Sequence, residues 1–269
     1  MSPENAACLV AADVDCCVLG NNHVLDLGPV GLLDTLSSLE RLRIESTGAG
    51  PDLDQTKAPA SLDLPRGGRV IVFSVALVTR GVPRSWAAKS DAPGVNLLPD
   101  LSNVSAARIA DQVARTRRPG DVVIVSVHWG PNWGYEVPAE QRRFAHELID
   151  KAGVSIVHGH SSHHAKAIEV YHDRLILYGC GDFLNDYEGI EGYEEFLANI
   201  AVVYFASVAP MSCDLVGLDM VPVQIRRFQP ARPSSQDTDR LLRTLDRETR
   251  RFGARVRLKD DGRFALSWG

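Results

Sequence analysis

The sequence predicts an α/β protein. Strand and helix patterns alternate through its first part, and consecutive strand patterns follow. Continuous apolar runs such as RVIVFSVAL at 69–77 and DVVIVSV at 121–127 read as buried strands. Residues 215–228 instead alternate apolar and polar (Leu218, Met220, Val223, Ile225, Phe228), as a half-exposed antiparallel strand does. The pattern favours a mixed sheet or two stacked sheets with helices outside.

Composition bounds the reading. A chain of 269 residues, 45% hydrophobic and 23% charged, has enough apolar material for a sizeable core. Residues 1–269 are expected to form a single domain. A net charge of -5 with pI near 5.9, and no basic stripe, exclude a nucleic-acid partner. Five cysteines without a CxxC spacing suggest reduced thiols and a cytoplasmic location. No apolar stretch reaches membrane-spanning length, and no basic-then-apolar leader opens the sequence.

Taken in order, residues 3–12 read as a short helix, with Ser2 as N-cap and Pro3 at its first position. Residues 14–19 form a strand that runs into Gly20, Asn21, Asn22 and His23. Helical spacing (Val30, Leu32, Leu33, Leu36, Leu39, Leu42) covers 29–42, and a strand lies near 44–47. An edge strand is expected at 60–64, a buried strand at 69–77, and a long irregular stretch at 78–102. A helix at 105–117 ends at Pro119-Gly120, and the next strand delivers His128. A loop with Trp129 and Trp133 leads to a helix at 138–152, begun by a proline and followed by Gly153. A strand at 154–157 then delivers His158, His160, His163 and His164. Strands at 167–171, 199–208, 215–228, 255–258 and 264–268, and a charged helix at 234–252, complete the chain.

Three apolar runs thus end in polar clusters: Asn22 and His23 with Asp26, then His128, then the four histidines. In open α/β sheets, sites gather at the carboxyl ends of strands. Neutral imidazole is a common metal ligand and a proton carrier near neutral pH. Asn oxygen with His nitrogen suits Mn, Fe, Zn or Ni better than Ca or Mg. The expected cofactor is a divalent metal ion, Mn, Fe or Zn, with Ca kept as an alternative. His23 lies three residues before Asp26, whose carboxylate can fix its tautomer.

These residues carry a resemblance. GNNHVLDLG, SVHWGPNWGYEVPAEQRRFAHELIDKAG and HGHSSHHAKAIEVYHDRLILYGCGDF resemble the bacterial poly-γ-glutamate capsule-synthesis (CapA, PGA_cap) family over about residues 5–205. That family is similar to the calcineurin-like metallophosphoesterases. The resemblance implies a four-layer sandwich of two mixed β-sheets flanked by helices. It implies Asn22, His128 and His160 as metal ligands and His23, held by Asp26, as acid–base residue. It also gives His163 to a second metal position or to the substrate. The family's first segment, with an Asp-x-His motif, has no counterpart here, so an N-terminally truncated member with weak or single metal occupancy is expected. A two-metal clamp needs bridging carboxylates that this chain does not clearly supply.

Three readings follow. The first is a CapA-like metal-dependent enzyme acting on a peptide or γ-glutamyl substrate, with His23, Asp26, His163 and Asp182 as catalytic residues and Trp129, Trp133 and His164 as substrate contacts. The second is a peptide α-carbon epimerase using His–Asp pairs. The third is a non-catalytic accessory protein. A missing first strand would leave an open sheet edge, through which a homodimer could form. His146 reads as a solvated surface residue, His172 as a turn residue and Cys180 as buried. Asp182, Asp186, Tyr187 and Glu188 make an acidic, aromatic loop.

Overall fold

The computed structural model describes residues 3–65, 67–79, 81–183, 190–227 and 229–269. The expected N-cap Ser2, the strand residue Phe228 and the loop residues Asp186, Tyr187 and Glu188 lie outside them. The protein is mixed α/β, with several sheets flanked by helices. It divides into two compact units, Met1–Trp129 with Asp150–Val154, and Gly130–Ile149 with Ser155–Gly269.

The first unit begins with a 3-10 turn, Pro3–Ala6, and α1, Ala7–Ala11. Strand β1 (Cys16–Val18) leads through the Asn-Asn-His loop to α2 (Gly28–Arg41), and β2 (Glu45–Thr47) returns parallel to β1. Leu32 and Leu39, two helical turns apart, put one face of α2 into a core with Leu19, Ile44 and Ala49. Next come β3 (Ala49–Gly50), α3 (Leu53–Lys57) and β4 (Ala60–Asp63). Helix α3 was not expected: five residues carry too little periodicity to be read. It is set by Asp52, whose side chain accepts from the Gln55 amide at 2.9 Å.

Strand β5 (Arg69–Leu77) is the unit's spine, antiparallel to β4 and parallel to β7 (Leu97–Leu98) and β8 (Val122–His128). The stretch expected to be irregular also holds a 3-10 turn, Arg84–Trp86, and β6 (Gly94–Val95), antiparallel to β3. Helix α4 (Asn103–Thr116), capped by Ser102, precedes β8.

The second unit starts in the tryptophan loop. It continues through α5 (Ala139–Ala152), whose last three residues belong to the first unit, and through β9 (Ile156–His160), β10 (Ile168–Tyr171) and β11 (Arg174–Leu177). Strand β11 runs parallel to β9 and antiparallel to β10. His158 and His160 therefore lie on a strand and not in the loop beyond it. The β11 backbone continues the ladder to His158, opposite Leu177.

Strands β12 (Ile200–Val208), β13 (Leu215–Arg226), β14 (Gln229–Ala231), β15 (Ala254–Leu258) and β16 (Phe264–Trp268) form a second sheet, antiparallel throughout. Leu218 and Met220 of β13, Phe264 of β16, and Leu241 and Leu245 of α6 (Ser235–Arg250) share a core with Ile168 and Leu175. The Thr249 hydroxyl accepts from the Ile168 amide at 3.2 Å across 81 residues of sequence.

A buried carboxylate joins α5 to β10. Glu169 accepts from Arg142 Nη2 at 2.9 Å, His146 Nε2 at 3.1 Å and the Tyr178 hydroxyl at 2.5 Å. His146 also stacks on Tyr171, ring centroids 3.6 Å apart. The expectation of a solvated His146 is corrected: its ring covers the buried Glu169, a partner that lies 23 residues away and is invisible in the local pattern.

Candidate functional site

The expected site residues fall on both units. Asn22, His23, Asp26, His128 and Trp129 belong to the first; Trp133, His160, His163, His164 and Asp182 belong to the second.

In the first unit the Asn-Asn-His loop rests on tightly packed small residues. The Gly20 amide donates to Ser74 Oγ at 3.2 Å. Gly48 adopts φ +94°, and a Cβ there would lie 2.7 Å from the Gly20 nitrogen. Only glycine fits that conformation and approach. The loop then turns on Asn21, whose Oδ1 accepts from the His23 amide at 2.8 Å. His23 Nδ1 sits 2.7 Å from Asp26 Oδ2, and the Asn22 amide group lies 3.4 Å from His23 Nε2. The pair is open to solvent, with side chains 70% and 55% exposed. His128, at the end of β8, is buried, and Trp129 is 2% exposed.

In the second unit three bonds stitch the tryptophan loop to the histidine loop. Ser161 Oγ donates to the Gly130 carbonyl at 3.1 Å, the His163 amide to Asn132 O at 3.1 Å, and Lys166 Nζ to Glu136 O at 2.6 Å. Ser161 holds φ +121°, a strained conformation for a residue with a side chain, and it aims the chain into His163. Burial lowers the pKa of the Lys166 amine.

His163 Nδ1 lies 3.1 and 3.0 Å from the two oxygens of Asp182, both side chains about four-fifths buried. The pairing holds the ring by its Nδ1 edge against the Asp182 carboxylate. Trp133 stands beside it, 5.3 Å between ring centroids.

His164 is 1% exposed, boxed by Trp133, Tyr135 and Phe196 at 6.1, 4.7 and 4.9 Å. Burial pulls its pKa down to about 4, so the ring is neutral. His158, pulled by burial to about 4, lies on the same side of β9 as His160, with ring centroids 5.6 Å apart. Cys180 behaves as expected, its thiol pushed up to about 12 by burial.

Among the described residues, no group of three or more His, Cys, Asp or Glu side chains is placed to hold a metal ion. The arrangement can move protons: each unit carries an imidazole with one nitrogen held by a carboxylate. Sequence reading missed Asn132, Gln141, Tyr193 and Phe196. Tyr193 stacks on Trp133 at 4.1 Å, and a Cβ on Gly130 would meet Gln141 Nε2 at 2.7 Å. The aromatics were a legible signal, but nothing local said what they touch.

Known proteins share this chain's pattern. The family described as bacterial capsule synthesis protein PGA_cap matches residues 1–187. A probable polyglutamine synthesis accessory protein of Mycobacterium tuberculosis is 46% identical over 262 residues, covering 97% of this chain and 69% of its own length. The PGA biosynthesis protein CapA of Bacillus subtilis is 31% identical over 166 residues, 62% of this chain and 41% of its own length. The capsule biosynthesis protein CapA of Bacillus anthracis is 26% identical over 248 residues, 90% of this chain and 56% of its own length. No helix among the described residues is long and apolar enough to cross a membrane. With the match running from the first residue through the Asn-Asn-His loop, His128 and the histidine strand to Asp182, the chain belongs to the bacterial capsule synthesis protein PGA_cap family.

Proposed function

We propose that this chain serves the synthesis of a glutamate polymer and performs acid–base chemistry on a γ-glutamyl peptide. The names carried by its relatives support the pathway, and the His163–Asp182 pair supports the chemistry. In this reading, with the ring held at Nδ1 by Asp182, His163 Nε2 takes a proton from a water attacking an amide carbonyl. It then returns that proton to the leaving amine, while Asp182 steadies the imidazolium. His23 and Asp26 offer a second acid–base pair of the same design.

One further reading is epimerisation at a peptide α-carbon, in which an imidazole held by a carboxylate removes the α-proton and a proton is returned to the opposite face. The expected ligands provide one amide and two imidazoles, and the described residues gather no larger donor group. We also propose self-association through β1, which pairs only with β2 among the described strands.

The test incubates the purified protein with a short γ-linked glutamate oligomer in deuterated water. Hydrolysis shortens the oligomer without labelling carbon; epimerisation puts deuterium on the α-carbon. Either activity should disappear in His163→Ala. If the oligomer stays intact and unlabelled, and His163→Ala restores polymer synthesis in a host lacking the parent protein, the chain is an accessory without catalysis.

A further inference from the structure

We propose that the face of Trp133, together with Arg240 of α6, is a binding subsite for an acidic peptide, and that the protein's own residues 190–196 occupy it as a resident competitor. The inference rests on the γ-glutamyl reading above and adds to it where the polymer is gripped.

Residues 190–196 read Ile-Glu-Gly-Tyr-Glu-Glu-Phe, an acidic peptide in their own right. Tyr193 lies flat on Trp133, centroids 4.1 Å apart and planes 5° from parallel, yet 37% of the tyrosine is exposed. The covered tryptophan stands beside His163. Trp133 thus contacts both the proposed base and a side chain of this segment. Aromatic faces take up peptide planes and rings alike, because the attraction depends on a flat partner and little else.

Phe196 anchors the end of the segment against Tyr135 and His164, and the residues before it are held by few hydrogen bonds. The segment's internal bonds are local: Phe196 N to Tyr193 O at 3.0 Å, Leu197 N to Glu194 O at 3.3 Å, and Gly192 N to Glu194 Oε1 at 2.9 Å. The hydrogen bonds that tie it to α6 come from Arg240 Nη2, to the carbonyls of Glu194 and Glu195 at 3.3 and 3.4 Å. Gly192, inside the segment, adopts φ +85°, and Leu197, just beyond it, adopts φ +56° and is anchored in the core.

A cavity of about 400 Å³ opens beside the segment, lined by Ile190, Tyr193, Asn199, Asp237 and Arg240 among others. Tyr193 is part of that lining, so open space adjoins its ring.

Arg240 spends its guanidinium on two long bonds to neutral carbonyls. A ligand carboxylate is a stronger acceptor for the same group. While Glu191, Glu194 and Glu195 are in place, they repel an incoming acidic chain. Once displaced, they leave Trp133 and Arg240 open to it. A site that is covered most of the time binds more weakly by the fraction of time it is open.

The experiment measures binding of a short γ-linked glutamate oligomer by calorimetry to the full chain, to Tyr193→Ala and to Glu191→Gln/Glu194→Gln/Glu195→Gln, all exposed positions. Both variants should bind about five- to tenfold tighter than the parent. Tyr193→Ala should also expose Trp133 to acrylamide quenching, read as the difference from the same variant carrying Trp133→Phe. If the parent binds and Tyr193→Ala binds no tighter, the resident competitor is ruled out and the γ-glutamyl reading survives. If neither binds, both the reading and this subsite fall.

Discussion

At the scale of single residues, the His163–Asp182 pair makes the sharpest claim. Asp182→Asn should keep the fold but release the ring from the carboxylate that holds it. The activity found in deuterated water should then fall by about two to four orders of magnitude, as loss of a positioned base does. A turnover within a factor of about three of the parent would remove the pair from the mechanism.

His164 gives a second expectation. It is neutral when folded, with a pKa near 4, against 6.5 for a free imidazole. Between those values the unfolded chain binds a proton that the folded chain does not. Stability should therefore fall as pH drops from about 6.5 to about 4, by up to ~1.4 kcal/mol per pH unit for this one group, and no further below that on its account. Urea unfolding of His164→Phe against the parent across that range checks the sign: the variant should show a shallower decline. An equal decline in both would assign the pH dependence elsewhere.

At the scale of elements, the geometry rests on contacts that local pattern cannot reveal. The strand delivering His128 and the helix ending before Gly153 were legible, because apolar runs, Pro138 and the glycine mark them. The proximity of His23 to Asp26 was legible from their spacing of three within one turn. A histidine paired with Asp182 was expected, but which of His158, His163 and His164 it would be was not legible, since a loop, a hairpin and a strand end intervene. Nor was Glu169, whose Arg142 and His146 partners lie on a helix more than twenty residues upstream.

That hub should be costly to disturb. Glu169→Ala leaves the buried Tyr178 hydroxyl without its acceptor and takes from Arg142 its carboxylate. A loss of about 2–4 kcal/mol in urea unfolding is expected. Gly48→Ala should cost a similar amount, because φ +94° and a 2.7 Å backbone contact meet at one atom. A change below about 0.5 kcal/mol in either variant would contradict these packing assignments.

At the scale of the whole molecule, the α/β class followed from the order of buried and alternating runs, and the antiparallel sheet at 200–268 follows that pattern closely. The division into two compact units was not legible, because one passes into the other within α5 and again before β9, with no linker composition at either point. Donor types alone suggested a metal centre, but composition says nothing of convergence. The donors present predict weak occupancy, so elemental analysis after dialysis should find well under one divalent ion per chain. A full equivalent would require ligands beyond those named. Light scattering tests self-association: a dimer is expected, and a strict monomer at high concentration would remove β1 as a pairing edge.

The bond from Ile168 to Thr249 bears on how the polypeptide is made. Strand β10 leaves the ribosome long before α6 does, yet its first amide waits for a hydroxyl on that helix. The second unit therefore cannot finish folding until α6 has been made. A nascent chain stalled ahead of α6 should remain open to protease there, whereas one extended past α6 should be closed.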